Sequence, residues 1–164
     1  MPYQLSRRQF VQSAAAIGIG LPTILPSGIL SGKSPNEKLA FACIGMGGQM
    51  RGYLIPELSK IDQQIVAICD VDERQCDNAL KIKGLAGAKV YHDYRELLEQ
   101  EKGVDAVIIA TPDHWHVPVC QAALANGKHV YCEKPLAHSV AECRALERMA
   151  KSHPTLATQT GNQG

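Results

Sequence analysis

A cluster of glycines follows the first apolar segment of the chain. Gly45, Gly47 and Gly48 come directly after the apolar run at residues 39–44. Glycine lets a phosphate approach backbone N–H groups closely, and a helix that begins at this point would add its positive N-terminal end. The segment therefore predicts a phosphate-binding turn between a strand and a helix. Any tight strand-to-helix turn favours glycine too, so the context on both sides decides the interpretation.

The glycine spacing matches G-x-G-x-x-G except at its third glycine. Met50 occupies that place, and Gly52 follows two residues later. The third glycine normally lets the helix pack close to the strand, so we expect the first helix to lie slightly displaced. The loop still offers its first two glycines to a pyrophosphate. The predicted dinucleotide contacts of this loop are Gly45, Gly47, Gly48, Gln49 and Met50.

An acidic residue, Asp70, closes the second apolar run at residues 65–69. A carboxylate roughly 20 residues after the glycines accepts hydrogen bonds from the adenosine ribose hydroxyls of a dinucleotide. It would also repel a 2′-phosphate, which favours NAD over NADP. Arg74 lies one turn away and would soften that preference, so NADP stays open. The alternative interpretation of Asp70 is a solvated turn acid.

Two further motifs follow the fourth and fifth predicted strands. Residues 111–116 read T-P-D-H-W-H, and residues 133–135 read E-K-P. The carboxyl ends of parallel strands meet at one edge of a sheet, where ligands bind. We therefore predict that the glycine loop, T-P-D-H-W-H and E-K-P share one edge and one ligand.

Strand-like and helix-like segments alternate from residue 39 onward, and these elements must position the motifs. Predicted strands cover residues 39–44, 65–69, 89–91, 104–110, 129–132 and 155–160. Predicted helices cover residues 49–60, 73–83, 94–100, 117–125 and 139–152, with Asp93 and Ser139 as N-caps. Continuous apolar strands between helices of about ten residues indicate a parallel sheet covered on both faces. The fold class is α/β, a doubly wound Rossmann sheet.

Composition narrows the classes of function. The chain has 164 residues, a net charge of +1 and 5% aromatic residues, which argues against bulk binding to nucleic acid or to an anionic membrane. Six cysteines lack C-x-x-C spacing, and no ligand set has metal spacing, so we predict no metal site. Cys43, Cys69 and Cys132 lie in apolar runs and are predicted to be buried strand residues.

The first 32 residues differ from the rest. Arg7 and Arg8 form a twin-arginine pair before Phe10, and a short apolar stretch follows at residues 14–21. This pattern resembles a twin-arginine (Tat) signal, which implies the Tat machinery as a partner and an exported or periplasmic location. An A-x-A cleavage site is missing, so an uncleaved anchor is one outcome. An amphipathic N-terminal helix is the alternative. Residues 33–38 are predicted to be a linker to the Rossmann domain at residues 39–164.

Taken together, the motifs resemble the Gfo/Idh/MocA oxidoreductases, relatives of glucose–fructose oxidoreductase and inositol dehydrogenase. The resemblance runs from residue 39 to the end of the chain. The matching segments are the glycine loop at 45–48, Asp70, T-P-D-H-W-H at 111–116, G-K-H-V at 127–130 and E-K-P at 133–135.

The resemblance implies roles for individual residues. Lys134 would contact substrate and help handle the proton of the hydroxyl being oxidised. Thr111, Pro112 and His116 match positions lining the nicotinamide pocket, and Glu133 matches a residue near the nicotinamide ribose. An ordinary surface lysine is the alternative for Lys134, and simple packing is the alternative for His116.

The resemblance also implies features beyond this chain. Family members continue with a second α/β domain that selects substrate and often mediates oligomers, so we expect a truncated protein that assembles only at full length. The leading hypothesis is NAD(P)-dependent hydride transfer from a sugar, polyol or related carbinol. The alternatives are an NAD-retaining glycosidase that works by transient oxidation and elimination, and a non-catalytic dinucleotide-binding module.

Overall fold

The structure, a computed structural model, describes residues 38–162. Its six strands form one sheet in the order β3-β2-β1-β4-β5-β6, and every neighbouring pair is parallel. This is the strand order of a dinucleotide-binding doubly wound fold, so the predicted fold class is confirmed. The strands are β1 (Ala40–Ile44), β2 (Gln64–Cys69), β3 (Lys89–Tyr91), β4 (Ala106–Ile109), β5 (His129–Cys132) and β6 (Thr158–Thr160).

Five α-helices connect the strands and cover both faces of the sheet. They are α1 (Ile55–Lys60), α2 (Glu73–Leu80), α3 (Tyr94–Gln100), α4 (His116–Ala125) and α5 (Val140–Ser152). A π-helical turn, Met50–Leu54, leads into α1, and a 3-10 turn, Asp113–Trp115, leads into α4. Successive strand residues point to opposite faces, so Phe41 and Cys43 pack towards α1 and α2, whereas Ala42 and Ile44 pack towards α3, α4 and α5.

The predicted helix caps are confirmed. The Asp93 carboxylate accepts a hydrogen bond from the N–H of Arg95, and the Ser139 hydroxyl accepts one from Glu142. The Glu142 carboxylate in turn accepts from the N–H of Ser139, which completes a capping box. These local signals lie within a few residues of each other and were therefore readable from the sequence.

Strands β4 and β6 begin two and three residues later than predicted because turns occupy their predicted first residues. The N–H of Val104 donates to the Glu101 carbonyl, so β4 begins only at Ala106. The N–H of Leu156 donates to the His153 carbonyl, so β6 begins at Thr158. Val104 and Leu156 are apolar because they pack against the core from these turns, and neither residue belongs to a strand.

The helix predicted at residues 49–60 begins as the π-helical turn Met50–Leu54. Met50 is fully buried and packs in the same core cluster as Met46 and Phe41. The side chain that replaces the third motif glycine therefore occupies core space between helix and sheet. π-Helical turns are rare and often lie at functional sites.

The predictions for residues 1–32 and for most of the linker at 33–38 lie outside the described residues. Across residues 38–162, no helix is both long and apolar enough to span a bilayer.

Candidate functional site

Gly45 joins the end of β1 to the end of β4. Its φ is +86°, and its N–H donates to the Cys69 carbonyl at 2.8 Å. A Cβ at this position would lie 2.6 Å from the carbonyl oxygen of Ala110 and 2.7 Å from the nitrogen of Thr111. Both the conformation and the close approach require glycine. The first glycine of the loop thus brings the β1 and β4 ends into direct backbone contact.

Asp70 ties the end of β2 to the glycine loop. Its Oδ2 accepts a hydrogen bond from the N–H of Met46 at 2.7 Å, and its Oδ1 accepts from the N–H of Asp72 at 2.9 Å. The carboxylate is half-buried and fixed, unlike a freely solvated turn acid. Each carboxylate oxygen retains further acceptor capacity, so a ribose hydroxyl can still donate to it.

Arg74, the residue expected to soften the choice of dinucleotide, is bound to its own helix cap. Its Nε and Nη2 lie 3.0 and 2.9 Å from the Asp72 carboxylate oxygens, and its side chain is 86% exposed. Hydrogen bonds from the Arg74 side chain and N–H lower the pKa of Asp72 below its ordinary value. The guanidinium is therefore engaged at the surface beside Asp70.

A cavity of about 350 Å³ opens beside Asp70 at the carboxyl edge of the sheet. We call it the Trp115 pocket. Tyr94 and Trp115 form part of its wall, with ring centroids 6.1 Å apart and planes at 63°. Val71, directly after Asp70, is 89% exposed and also lines it. The remaining lining residues are Ile44, Gly45, Cys69, Asp70, His92, Asp93, Arg95, Thr111, Pro112, His114 and Val119.

A second cavity, of about 150 Å³, lies on the same edge. We call it the Lys134 pocket. Its lining residues are Gln49, Ala110, Thr111, His116, Glu133 and Lys134. Thr111 lines both cavities, so the two pockets adjoin across the end of β4. The glycine loop, T-P-D-H-W-H and E-K-P therefore share one edge, as their positions after parallel strands predicted.

Glu133 is a buried carboxylate in the Lys134 pocket, only 4% exposed. Its Oε1 accepts from the Tyr131 hydroxyl at 3.2 Å and from the Gln49 amide at 3.3 Å. Its Oε2 lies 3.3 Å from the N–H of Lys134. These contacts connect the glycine loop to the E-K-P motif through a single side chain.

His116, at the start of α4, is 1% exposed. Its Nδ1 lies 2.6 Å from the Pro135 carbonyl oxygen, and its Nε2 lies 2.9 Å from the Thr111 carbonyl oxygen. The ring therefore bridges the residue after Lys134 and the residue that separates the two cavities. Its nitrogens face backbone rather than the open pocket.

Thr111 carries an unusual polar atom. Its Oγ1 is buried and, among residues 38–162, finds no hydrogen-bond partner. Buried hydroxyls are nearly always satisfied, and leaving one without a partner costs about 1–3 kcal/mol. An orphaned hydroxyl between two cavities points to a ligand that supplies the missing hydrogen bond.

The sequence did not single out every residue of these cavities. Val71 and His92 line the Trp115 pocket because they follow β2 and β3, and Tyr94 begins the next helix. The sequence could have indicated these three residues, because each follows the carboxyl end of a predicted strand. Tyr131 lines neither cavity, but its hydroxyl donates to the Glu133 carboxylate. The sequence did not indicate this contact, because Tyr131 lies inside β5 among buried apolar residues.

The six cysteines lie within the described residues and form no disulfide there. Their thiols are free, and Cys43, Cys69 and Cys132 are buried strand residues, as predicted. Burial raises the pKa of Cys43 and of Cys69 to about 12, which leaves both thiols protonated at neutral pH. Over the described part of the chain, no group of three or more metal-binding side chains occurs.

Comparison with known proteins gives consistent relatives. The family model described as "Oxidoreductase family, NAD-binding Rossmann fold" (GFO_IDH_MocA) matches residues 39–160. A glycosyl hydrolase family 109 protein of Stenotrophomonas maltophilia is 35% identical over 142 residues, covering 80% of this chain and 30% of the relative. Inositol 2-dehydrogenase of Salmonella typhimurium is 40% identical over 90 residues, covering 54% of this chain and 26% of the enzyme.

Solved structures agree with these relatives. Myo-inositol 2-dehydrogenase from Lactobacillus plantarum has a TM-score of 0.70 at 29% identity, covering 76% of this chain and 36% of that protein. Scyllo-inositol dehydrogenase from Lactobacillus casei, solved with NAD(H) and scyllo-inositol, has a TM-score of 0.69 at 25% identity and covers the same shares. The chain thus spans about a third of the length of the proteins it matches. With the edge geometry above, these matches show that the chain belongs to the Gfo/Idh/MocA oxidoreductase family, through its NAD-binding Rossmann domain.

Proposed function

We propose that the protein transfers hydride between NAD and a sugar, polyol or related carbinol. The observation that carries this proposal is the pair of adjoining cavities at the carboxyl edge of the sheet, divided by Thr111. One is lined by the Asp70 carboxylate and two aromatic side chains, and the other is lined by Lys134. A dinucleotide that spans two half-sites needs this arrangement at this edge.

The residues of the edge fit an NAD molecule. The backbone approach at Gly45 leaves no room for a Cβ, as a pyrophosphate-binding turn requires. The orphaned Thr111 hydroxyl offers a hydrogen bond between the two cavities. Asp70 would accept from the adenosine ribose, and Val71 and Trp115 would pack against the adenine. Gln49, Pro112 and Glu133 complete the proposed contacts.

Met50, predicted to contact the cofactor, is fully buried in the core and lines neither cavity, because its side chain fills the space between helix and sheet. His116 supports the wall of the Lys134 pocket through its two backbone partners.

Lys134 is the proposed proton-handling group. Its side chain is exposed to the Lys134 pocket, and its Nζ has no hydrogen bond or ion pair among the residues that the structure describes. Oxidation of a carbinol removes a hydride from carbon and a proton from oxygen. The bound cofactor supplies the hydride acceptor. The Lys134 amine would take the hydroxyl proton as the carbonyl forms, a step typically worth 10²–10⁴-fold in rate.

NAD rather than NADP is the proposed cofactor. A 2′-phosphate would meet the Asp70 carboxylate, and three arginines of this region are already engaged. Arg51 donates to the Met46 carbonyl and to the Gln75 side chain at 2.8 Å each. Arg74 is bound to Asp72, and Arg95 is bound to Asp93 at 2.8 Å. A 2′-phosphate could recruit one of these three arginines only by breaking its present contacts, so we expect repulsion from Asp70 to dominate.

The cofactor proposal is tested by titrating the chain with NADH and NADPH while following the fluorescence of Trp115. This residue is the chain's single tryptophan, so energy transfer from it to a bound reduced nicotinamide reports on one site. We expect saturable transfer with NADH and at least tenfold weaker binding of NADPH. Asp70→Ala should weaken NADH binding by about tenfold or more, since charged hydrogen bonds are worth about 1.5–3 kcal/mol. Unchanged affinity in that variant would exclude Asp70 as the ribose ligand.

The reaction class is tested by assaying the full-length protein on two panels of substrates. Net NADH formation from free inositols or sugars supports the dehydrogenase proposal. The family 109 glycosyl hydrolase relatives favour a second candidate, a glycosidase that retains NAD. Release of a sugar from an aryl glycoside with no net NADH would select it. Bound NAD with no turnover on either panel would leave a dinucleotide-binding module.

We also propose export through the Tat route, which rests on the twin arginines at residues 7 and 8 and the apolar stretch at 14–21. A reporter fused after residue 36 should reach the periplasm, and a double Arg7→Lys, Arg8→Lys variant should retain it in the cytoplasm. Periplasmic reporter in the lysine variant would contradict the Tat assignment.

A further inference from the structure

We infer that Arg51 is a positioning residue for the pyrophosphate of the dinucleotide, because its side chain fixes the direction of the Gly47 N–H. The inference rests on the proposed function, since an aimed N–H has a purpose only if a phosphate binds at the glycine loop. Arg51 would act through the backbone of the loop and would not touch the phosphate itself.

The glycine loop has an anchored half and an open half. In the anchored half, the N–H of Gly45 donates to the Cys69 carbonyl at 2.8 Å, and the Met46 side chain is fully buried. In the open half, a Cβ added at Gly47 or Gly48 would meet nothing within 4 Å, and the Gly47 N–H has no hydrogen-bond acceptor among residues 38–162. Glycine by itself leaves the backbone conformation free, so the open half needs another group to hold it.

Two charged side chains hold the backbone of Met46 at the boundary between these halves. Asp70 Oδ2 accepts from the Met46 N–H at 2.7 Å, and Arg51 Nε donates to the Met46 carbonyl at 2.8 Å. The Met46 carbonyl and the Gly47 N–H belong to one planar trans peptide unit, in which the two groups point in opposite directions. The Arg51 contact therefore directs the Gly47 N–H away from the guanidinium. Gly47 is the motif glycine at which the backbone approaches a pyrophosphate.

Arg51 is itself held by a second element of the fold. Its Nη2 donates to Gln75 Oε1 at 2.8 Å, and Gln75 lies on α2. Because a guanidinium has only donors, the direction of both hydrogen bonds is fixed. Its N–H groups form a rigid fork, so one side chain bridges the Met46 carbonyl and α2. A lysine ammonium is a point charge on a flexible stem and cannot replace this bridge.

Arg51→Lys separates positioning from simple attraction, because lysine keeps the positive charge and loses the fork. The 164-residue chain is titrated with ADP, which has a pyrophosphate, and with adenosine, which lacks one, and binding is followed by amide NMR. We expect ADP binding to weaken by about tenfold, the scale of one charged hydrogen bond, while adenosine binding stays within about twofold of wild type. Arg144→Lys is the control, because Arg144 is exposed on α5 and lines neither cavity.

Gln75→Leu tests the same bridge from its other end. This variant keeps Arg51 and removes only its acceptor on α2, so we expect ADP binding to weaken by about threefold, the scale of a weaker hydrogen bond. It also keeps the inference testable if Arg51→Lys does not fold. Wild-type ADP affinity in Gln75→Leu would contradict the bridge.

Hydrogen exchange of the Met46 amide measures the fixed turn without any ligand, because this amide donates to Asp70. We expect exchange about tenfold faster in Arg51→Lys than in wild type, and no change in Arg144→Lys. Unchanged exchange in Arg51→Lys would show that the turn does not depend on Arg51.

Two binding outcomes would also overturn the inference. Wild-type ADP affinity in Arg51→Lys would leave Arg51 no positioning role. Equal losses of ADP affinity and adenosine affinity, together with lower thermal stability, would assign Arg51 to general packing. A wild-type chain that binds neither ligand contradicts the proposed function, and Met46 exchange in the same chain still confirms or overturns the fixed turn.

Discussion

Strand β5 has a lysine near each end, and the two lysines differ in burial and in hydrogen-bond partners. Lys128, before the strand, is 6% exposed, and its Nζ donates to the carbonyls of Lys102 and Val104 at 2.8 Å each. Lys134, after the strand, is exposed and lines a cavity. The same residue type thus serves as a structural donor at the amino edge of the sheet and as a candidate reactive group at the carboxyl edge.

The two edges differ in the same way as these lysines. At the amino edge, polar groups are bound to the protein itself: the Asp105 carboxylate accepts from the N–H of Ala40, and His129 Nδ1 accepts from the N–H of Ala157. At the carboxyl edge, a hydroxyl of Thr111 is orphaned beside two cavities. The two edges therefore differ in that the carboxyl edge has a buried hydroxyl without a partner among the described residues, beside two cavities.

The comparison predicts its largest effect at Lys134. Lys134→Met in the full-length protein should lower kcat by about 1,000-fold, because the hydroxyl proton loses its acceptor. NADH affinity and thermal stability should stay near wild type. Steady-state kinetics measure the change, and Lys151→Met, an exposed lysine paired with Glu147, is the control. If Lys134→Met kept the wild-type kcat, Lys134 would not be the group that accepts the hydroxyl proton.

Gly45→Ala should destabilise the fold by about 3 kcal/mol or more. The added Cβ meets the β4 backbone at 2.6 Å, and alanine is strained at a φ of +86°. Urea unfolding measures the loss, with Gly103→Ala as the control because nothing lies within 4 Å of its added Cβ. Equal stability of the two variants would show that the β1 and β4 ends do not approach closely.

Lys128→Met tests the amino edge. We expect a loss of about 2–3 kcal/mol, because two buried carbonyls lose a charged donor. The Kd for NADH of the folded fraction should stay unchanged, since the residue lies at the other end of β5 from the cavities. If Lys128→Met kept its stability but lost NADH binding, the assignment of stabilisation to the amino edge and of cofactor binding to the carboxyl edge would be wrong.

The smallest effect concerns Glu101, also at the amino edge. Hydrogen bonds from Lys89 and Tyr91 hold the pKa of Glu101 below its ordinary value. A depressed carboxyl pKa stabilises the fold at pH values above the ordinary pKa, and this stabilisation is lost as pH falls through the folded-state value. Glu101→Gln should therefore cost about 1 kcal/mol at pH 7, with the difference from wild type vanishing in acid.

Urea unfolding at several pH values measures this difference. Glu147→Gln is a matched control, because the pKa of Glu147 is also lowered by a lysine but its side chain is 59% exposed. Solvent screening should reduce its effect to near zero. A pH-independent loss in Glu101→Gln would mean that packing, and not charge, stabilises this position.

The sequence predicted the shared edge because strand polarity alone places Gly45, Asp70, Thr111 and Lys134 together. It could not predict the partners of His116, since a contact 19 residues away depends on how two loops fold back. The sequence did not predict the burial of Lys128 either. This residue belongs to the G-K-H-V motif at 127–130, and the motif does not show whether its lysine faces solvent or the interior. The π-helical turn at Met50 likewise depends on packing rather than on local propensity.

The most direct test of the account is an amide NMR titration of the 164-residue chain with NAD. We predict saturable shifts at the carboxyl edge, centred on Gly45, Gln49, Val71, Thr111 and Lys134. Residues of the amino edge, among them Asp105 and Lys128, should stay unperturbed. Saturable shifts centred on the amino edge, or no saturable shifts at all, would contradict the central claim that NAD binds between the two adjoining cavities.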